Sequence, residues 1–435
     1  MKNSFQQISG SICAPRGFKC AAVFCDIKKL GTGKGSEKGR KDDLALIVSD
    51  VPAAVAGMFT TNQVCAAPVK ISRKVARKNF ARAIVVNSGN ANAATGAQGM
   101  TDAYSMTRLA AKALSLNGKD VLVCSTGRIG VPMPMKNVER GIRMCAPRIA
   151  RSTSNARQVA EAIMTTDTRR KEIAVEFKLG RSTVRIGGIC KGAGMIQPGM
   201  ATMLAFITTD AAIGAAALKR ALKVAVEQSF NRITVDGDMS TNDSVILFAN
   251  GLATNPKLGD RESGSERNPK RFRIFQTALN FICLELAKMI VRDGEGTSRV
   301  VTLNVHGARN DGEAEAAAHA IANSSLVRAS WCGGDPNWGR ILCALGYSKA
   351  KINENVVDVG YAQTGNRKIL FAFRRGRPTN VALKALAKIT SQPEFDLHVD
   401  LHRGRGEFVL YAADLTEDYI AFNKGDVNDP TTLGG

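Results

Sequence analysis

Short apolar, β-branched runs alternate along this chain with longer stretches that have the apolar spacing of amphipathic helices. Such alternation is typical of sheets covered by helices, so it predicts α/β or α+β architecture. The predicted strands are residues 44–49, 83–86, 121–124, 172–177, 245–248, 300–305, 395–401 and 408–412. The predicted helices are residues 102–116, 154–164, 211–228, 272–292, 313–323 and 380–389.

Two of these helices follow residues that are typical N-terminal caps. The first helix, predicted to begin at Asp102, opens with Thr101 and Asp102, and the polar cluster at residues 208–210 precedes the helix that is predicted to begin at Ala211. Side-chain oxygens at such positions accept the free N–H groups of a first helical turn. Residues 255–269 are rich in Gly, Ser, Pro and charge, and this composition predicts an exposed loop or insertion.

The length of the chain, 435 residues, allows one large core or two to three average domains. Its most apolar stretch, residues 274–291, is interrupted by Gln276, Asn280, Glu285 and Lys288. A membrane-spanning helix needs about 20 mostly apolar residues, so we expect a buried helix here and no membrane association. The absence of an apolar run near the N-terminus favours an untargeted, cytoplasmic protein.

The ten cysteines and four histidines do not form a metal-binding pattern. No Cys-x-x-Cys pair occurs, and the histidines lie far from most cysteines, so structural zinc is not expected. Several cysteines stand inside apolar runs, such as the one that ends at Cys124, and are predicted to be small core residues.

The net charge of +22 raises the question of nucleic-acid binding, because basic surfaces neutralise phosphates. The densest basic stretches, residues 28–41 and 256–273, are Gly- and Ser-rich and lack the interleaved aromatic residues on which bases stack. We therefore expect solvated surface rather than a nucleic-acid partner. A positive surface also favours anionic small substrates by steering them.

The chemically most informative segment is KGAGMIQPGMATMLAFITTD, residues 191–210. Three glycines and Pro198 bend the backbone, and the apolar run 203–207 must then be buried, with Thr202 at the junction. A hydroxyl that follows a bent, strained backbone is what an N-to-O acyl shift requires, because it must reach the preceding carbonyl. A threonine beside a glycine turn is also an ordinary turn residue, so the pattern alone leaves both interpretations open.

This segment resembles the cleavage-site signature of the ArgJ family, in which the chain breaks between an alanine and a threonine, here Ala201 and Thr202. The resemblance extends in order from about residue 12 to 423. Its other blocks are DVPA (50–53), NSGNANA (87–93), STGRIG (125–130), IMTTD (163–167), SFNRITVDGDMSTND (229–243), VRDGEGT (291–297) and GDPNWGRIL (334–342).

The resemblance implies a glutamate N-acetyltransferase, also called ornithine acetyltransferase, of arginine biosynthesis. Self-cleavage would make Thr202 an N-terminal nucleophile whose own α-amine is the general base, since an α-amine has an ordinary pKa of roughly 7.7–8.0. Thr202 would take the acetyl group from N-acetylornithine and pass it to glutamate. No cofactor or metal is implied, and whether acetyl-CoA is also a donor stays open.

Thr126 and Gly127 match the oxyanion-hole pair of the family, a hydroxyl and a backbone N–H directed at the developing negative charge. From the pattern alone, these residues are also the turn that follows the strand at residues 121–124.

Thr165, Lys191 and Glu295 match substrate-contacting positions, and Thr166 replaces Thr165 if the alignment shifts by one residue. Lys191 suits a substrate carboxylate and Glu295 a substrate ammonium group, although both residue types are more often found on the surface.

At the C-terminus, Asn423 matches a substrate-contacting asparagine of the family. Asn428 stands where a hydroxyl residue is usual, which leaves the acceptor preference open.

The fold implied is the DmpA/ArgJ-like four-layer α-β-β-α sandwich with a smaller companion domain. Residues 1–201 would form an α chain and residues 202–435 a β chain, assembled as an α2β2 heterotetramer. Two enzymatic alternatives remain: an N-terminal-nucleophile amidase or aminopeptidase, which hydrolyses its acyl-enzyme, and a paralogous acetyltransferase with another acceptor.

Overall fold

A computed structural model describes residues 5–28, 41–197, 203–259, 261–262, 265–266 and 269–424. Within these ranges the strands, β1 to β18, are Phe5–Gln7, Phe18–Val23, Leu44–Phe59, Phe80–Asn90, Val121–Arg128, Lys171–Leu179, Ser182–Lys191, Leu204–Thr209, Ile233–Thr234, Ser244–Ala249, Arg261–Glu262, Ser265–Glu266, Val300–Ala308, Asp358–Gln363, Leu370–Arg374, Arg377–Pro378, Glu394–Asp400 and Gly406–Ala413. The helices, α1 to α11, are Ala67–Ala76, Gly96–Ala113, Met135–Cys145, Thr153–Ala162, Ala215–Glu227, Pro269–Arg292, Asp311–Ala322, Ser325–Cys332, Trp338–Gly346, Leu383–Thr390 and Glu417–Asn423.

The larger sheet has nine strands in the order β1-β6-β7-β8-β10-β3-β4-β5, with β2 paired to β3. Strand β3 is long and changes register between Val48 and Ala53. Its first part pairs with β2, and its last part pairs with β10. The sheet therefore folds over on itself, and the rings of Phe18 in β2 and Phe248 in β10 lie 6.5 Å apart in one shared core.

Helices cover both outer surfaces of this folded sheet. Helices α1 to α4 contribute to the core that contains β2, β4 and β5. Helices α5 and α6 pack on the opposite side, against β6, β7, β8 and β10. The layers thus follow the order helix, sheet, sheet, helix, which confirms the predicted fold class.

The smaller sheet has seven strands in the order β16-β15-β14-β17-β13-β18-β9. One of its faces is covered by α7 to α10, which share a third core with β13, β14, β17 and β18. Along β13 and β17 every second residue is buried, as a sheet with one covered face requires. This sheet and its helices form the smaller companion unit.

Helix α6 is long and apolar enough to cross a membrane by length and composition alone. Half of its most apolar 18-residue stretch is buried inside the protein. It packs against β6, β7 and α5. Phe275, Ile282 and Leu286 are among its fully buried residues. The prediction of a buried core helix is confirmed.

The predicted helix starts at Asp102 and Ala211 are wrong. Helix α2 begins at Gly96, six residues earlier, and helix α5 begins at Ala215, after the N-cap residue Gly214. The polar cluster that was predicted to cap α5 instead closes β8, and the Asp210 carboxylate accepts the N–H groups of Arg16 and Arg185.

The segment 255–269 is only partly an exposed loop. Asn255 is buried, and its side chain accepts the N–H of Ala212 and donates to the Ala212 carbonyl. Two-residue strands β11 and β12 pair within the described part of the segment, and Pro269 begins α6.

Seven of the ten cysteines are buried free thiols, which confirms their prediction as core residues. Cys65 and Cys332 are half-buried, and Cys343 is exposed.

Candidate functional site

Ala201, Thr202 and Asn428 lie outside the described residues, and Met203 is the first described residue after the predicted nucleophile. The apolar run 203–207 is buried as predicted, and most of it forms β8. The N–H of Met203 donates to Asp243 Oδ1 at 2.9 Å. The start of β8 is therefore fixed to the segment that precedes β10.

Thr126 and Gly127 lie inside β5, which continues to Arg128, so their interpretation as a turn after residue 124 is wrong. Thr126 is buried, and Gly127 lies opposite Gly89 of β4. The φ of Gly127 is 127°, and an added Cβ would lie 2.4 Å from the Gly89 carbonyl carbon. Only glycine fits this position, because the two backbones approach so closely.

Asn242 and Asp243 join these two parts of the site. Asn242 Nδ2 donates to the Ser125 carbonyl at 2.9 Å, and its neighbour Asp243 holds Met203. The start of β8 and the end of β5 are thus fixed by adjacent residues, although three strands separate β8 from β5 in the sheet order. The folding of the sheet at β3 brings them together.

Asp243 is fully buried, and its Oδ2 has no hydrogen-bond partner among the described residues. Burial raises the pKa of Asp243 well above its usual range, against the opposing effects of the Met203 N–H and of Lys191. Asn242 and Asp243 were not among the predicted site residues, although both end the family block 229–243.

Lys191 ends β7 and lies opposite Leu204, the first residue of β8. Its side chain is buried, and burial lowers its pKa even though Asp167, Glu295 and Asp243 oppose that shift. A buried ammonium group attracts an anion more strongly than an exposed one does, because the local dielectric constant is low.

Asp236 holds the segment that leads towards the predicted cleavage point. Its two carboxylate oxygens accept the N–H groups of Met195 and Ile196 at 2.5 and 2.8 Å. Burial raises the pKa of Asp236 to about 6, against the opposing effects of the N–H groups of Asp238, Met195 and Ile196. The half-buried carboxyl group of Asp236 thus supports the segment that was predicted to be bent.

The remaining predicted substrate residues lie around the same segment. Glu295 donates its N–H to the Ala193 carbonyl at 2.9 Å, and its side chain accepts a 2.9 Å bond from Asn423 Nδ2. Thr165 is half-buried and donates its N–H to Asp167 Oδ2 at 3.1 Å. Thr166, the alternative to Thr165, is also half-buried.

The stability of the fold should depend on pH through the Asp167 carboxyl group. Burial alone would raise its pKa, but Lys171, Lys191 and the Gly192 N–H together lower it to about 2. A carboxyl group with a lowered folded-state pKa stabilises the fold above its unfolded pKa of about 3.8 and loses this effect as the pH falls towards 2. We expect the free energy of unfolding of wild type to exceed that of Asp167→Asn by an amount that falls by roughly 2 kcal/mol between pH 5 and pH 2.

Urea denaturation at a series of pH values measures this difference. Glu354→Gln, at an exposed carboxyl group, is the control and should show no comparable change. An advantage of wild type that stays constant across this pH range would contradict the prediction.

The fold and this site define a mixed α/β enzyme whose polar groups meet where one sheet folds over on itself. Among the residues that the structure describes, no group of three or more His, Cys, Asp or Glu side chains is placed to hold a metal ion. A family model described as ArgJ family matches residues 21–425. The chain belongs to the ArgJ family.

The chain is similar to proteins of the same length. It is 46% identical over 416 residues to the arginine biosynthesis bifunctional protein ArgJ of Symbiobacterium thermophilum, with 96% of this chain and 98% of that protein covered. It is 43% identical over 423 residues to the glutamate N-acetyltransferase of Methanocaldococcus jannaschii, with coverage of 96% and 98%.

Among solved structures, it resembles the ArgJ protein of Bacillus halodurans, with 34% identity and a TM-score of 0.40 over 46% of this chain and 97% of that chain. Ornithine acetyltransferase of Mycobacterium tuberculosis, complexed with ornithine, has 33% identity and a TM-score of 0.40 over 45% of this chain and 98% of that chain.

Proposed function

We propose that this enzyme transfers an acetyl group from N2-acetyl-L-ornithine to L-glutamate through an ester on Thr202. The observation that carries the proposal is the link formed by Asn242 and Asp243. It fixes the residue after Thr202 beside the strand end that carries Thr126 and Gly127. The names of the full-length relatives support the same reaction.

The proposed nucleophile forms when the Thr202 hydroxyl attacks the Ala201 carbonyl and the acyl group moves from N to O. Water then hydrolyses this ester, which releases the Ala201 carboxylate and the free α-amine of Thr202. The Thr202 hydroxyl then adds to the acetyl carbonyl while its α-amine takes the hydroxyl proton. Thr126 Oγ–H and Gly127 N–H donate to the resulting oxyanion. The intermediate collapses, ornithine leaves with the proton, and an acetyl ester remains. Attack by the glutamate amine reverses these steps and frees Thr202.

Substrate binding is assigned to Lys191, Glu295, Thr165 and Asn423. The buried ammonium of Lys191 suits the α-carboxylate that both substrates carry. The Glu295 carboxylate, beside Asn423, suits the side-chain ammonium of ornithine. Asn428 takes the position of the family hydroxyl, so other amino acids need to be tested as acceptors.

The proposed α and β chains, 1–201 and 202–435, would remain associated after cleavage. Strands β8 and β10 of the second chain lie between β7 and β3 of the first, hydrogen-bonded on both sides. We propose that two such pairs assemble as α2β2, and that the enzyme works in the cytoplasm without a metal or cofactor.

Product analysis of the purified enzyme tests this function. With N-acetylornithine and glutamate we expect N-acetylglutamate and ornithine in equal amounts, with little free acetate. An amidase would give acetate whether or not glutamate is present, and a paralogue would prefer another amino acid as acceptor. A parallel reaction with acetyl-CoA as donor decides whether the enzyme also forms N-acetylglutamate from acetyl-CoA.

A further inference from the structure

A buried cluster of three charged side chains lies beside the proposed site. Lys171 Nζ lies 2.6 Å from Asp167 Oδ1 and 2.5 Å from Asp293 Oδ2. All three side chains are at most 1% exposed. None of them is a proposed substrate contact, so the cluster requires its own explanation.

The first carboxylate of the cluster fixes two loops of the site. Asp167 Oδ1 also accepts the N–H of Gly192 at 2.7 Å, directly after Lys191. Its Oδ2 accepts the N–H of Thr165. The positions of both Lys191 and Thr165 therefore depend on where Asp167 is held.

The second carboxylate belongs to the other half of the chain. Asp293 stands two residues before Glu295 and accepts the N–H of Thr168 at 3.1 Å. It also accepts the Thr168 hydroxyl. The loop that carries Glu295 is thereby fixed to the loop that follows Thr165.

We infer that Lys171 is a positioning residue that sets the distance between the carboxylate-binding and ammonium-binding sides of the substrate site. This inference rests on the proposed function. Lys171 and Asp167 belong to the proposed α chain and Asp293 to the proposed β chain, so the contact also joins the two chains at the site.

The contribution of the cluster to geometry is separable from its contribution to stability. Breaking a buried ion pair by removing one partner leaves an uncompensated charge and is strongly destabilising. Removing both charges of a pair together avoids that uncompensated buried charge. The double variant Lys171→Met with Asp293→Asn leaves Asp167 beside Lys191, so the local charge stays balanced while the contact of Lys171 with the Asp293 loop is lost.

We expect this double variant to unfold within a few degrees of the wild-type temperature and to be cleaved like wild type. Its KM for N-acetylornithine and for glutamate should rise about 10-fold or more, because displaced binding groups lose their alignment with the charged groups of both substrates. Lys171→Met alone should unfold at a clearly lower temperature. Arg170→Met, at the neighbouring exposed residue that pairs with Glu172, is the matched control and should change neither quantity.

A folded, cleaved double variant with wild-type KM values would overturn the inference, because a merely structural cluster affects unfolding and not KM. Asp293→Asn alone keeps the pair between Lys171 and Asp167 and gives the same KM comparison if the double variant is insoluble. Failure of the proposed function has a different signature, since wild type itself would then be uncleaved or would not form N-acetylglutamate.

Discussion

Thr202→Ala is expected to remain one polypeptide of 435 residues and to lose acetyl transfer by about 10⁴-fold or more. The substitution removes the hydroxyl that attacks the preceding carbonyl during cleavage and the acetyl carbonyl during turnover. It also prevents release of the α-amine that would be the base. One change thus removes both nucleophile and base, which explains the size of the effect.

Intact mass measurement under denaturing conditions, together with the acetyl-transfer assay, checks both parts of this prediction. Thr202→Ser keeps a hydroxyl and should still yield two chains with measurable transfer. Thr277→Ala, at an exposed threonine of α6, is the control for threonine replacement and should behave like wild type. Cleavage or near-normal turnover in Thr202→Ala would exclude Thr202 as the nucleophile.

The sequence predicted the elements whose burial follows a simple pattern. Each of the eight predicted strands overlaps a strand of the structure, because an apolar run such as residues 245–248 has few alternatives to burial. Strand β7 was missed, since Gly187 and Gly188 interrupt its pattern. Gly187 is required there because an added Cβ would lie 1.8 Å from the Ser11 carbonyl oxygen, and that contact is invisible in the local sequence.

The start of α2 was predicted six residues too late for a similar reason. Gly99 lies in its first turn, where an added Cβ would lie 1.9 Å from Thr95 Oγ1. Glycine normally argues against a helix interior because of its backbone entropy. Here the close approach of Thr95 decides the residue type, so tertiary structure overrides local propensity.

The parts of the site that escaped prediction are those that depend on long-range contacts. Asn242 reaches Ser125, 117 residues earlier in the chain. Lys171 looks like an ordinary strand-end lysine, and lysines are seldom buried. The folding of β3 brings Asn242 to Ser125, and the packing of α6 on β6 brings Asp293 to Lys171, so a linear pattern has no signal for either contact. The resemblance to the family predicted the residues that would act on the substrate, but not the residues that hold them in place.

Thr126→Val is expected to lower kcat by about 10²–10³-fold, which is the usual cost of one lost oxyanion donor. The two side chains have nearly the same shape, and Thr126 is buried within β5, so the fold should be preserved. The KM for N-acetylornithine should change little, because negative charge develops on the acetyl oxygen only in the transition state.

Steady-state kinetics of the cleaved enzyme, corrected for the amount of active sites, measures this loss. Thr126→Ser keeps a donor and should recover most of the rate. Thr107→Val is a matched control, because Thr107 is also buried and donates its hydroxyl to the Tyr104 carbonyl of its own helix. A Thr126→Val enzyme with a wild-type kcat would show that the oxyanion is stabilised elsewhere, and the strand end at Thr126 and Gly127 would then have only a structural role.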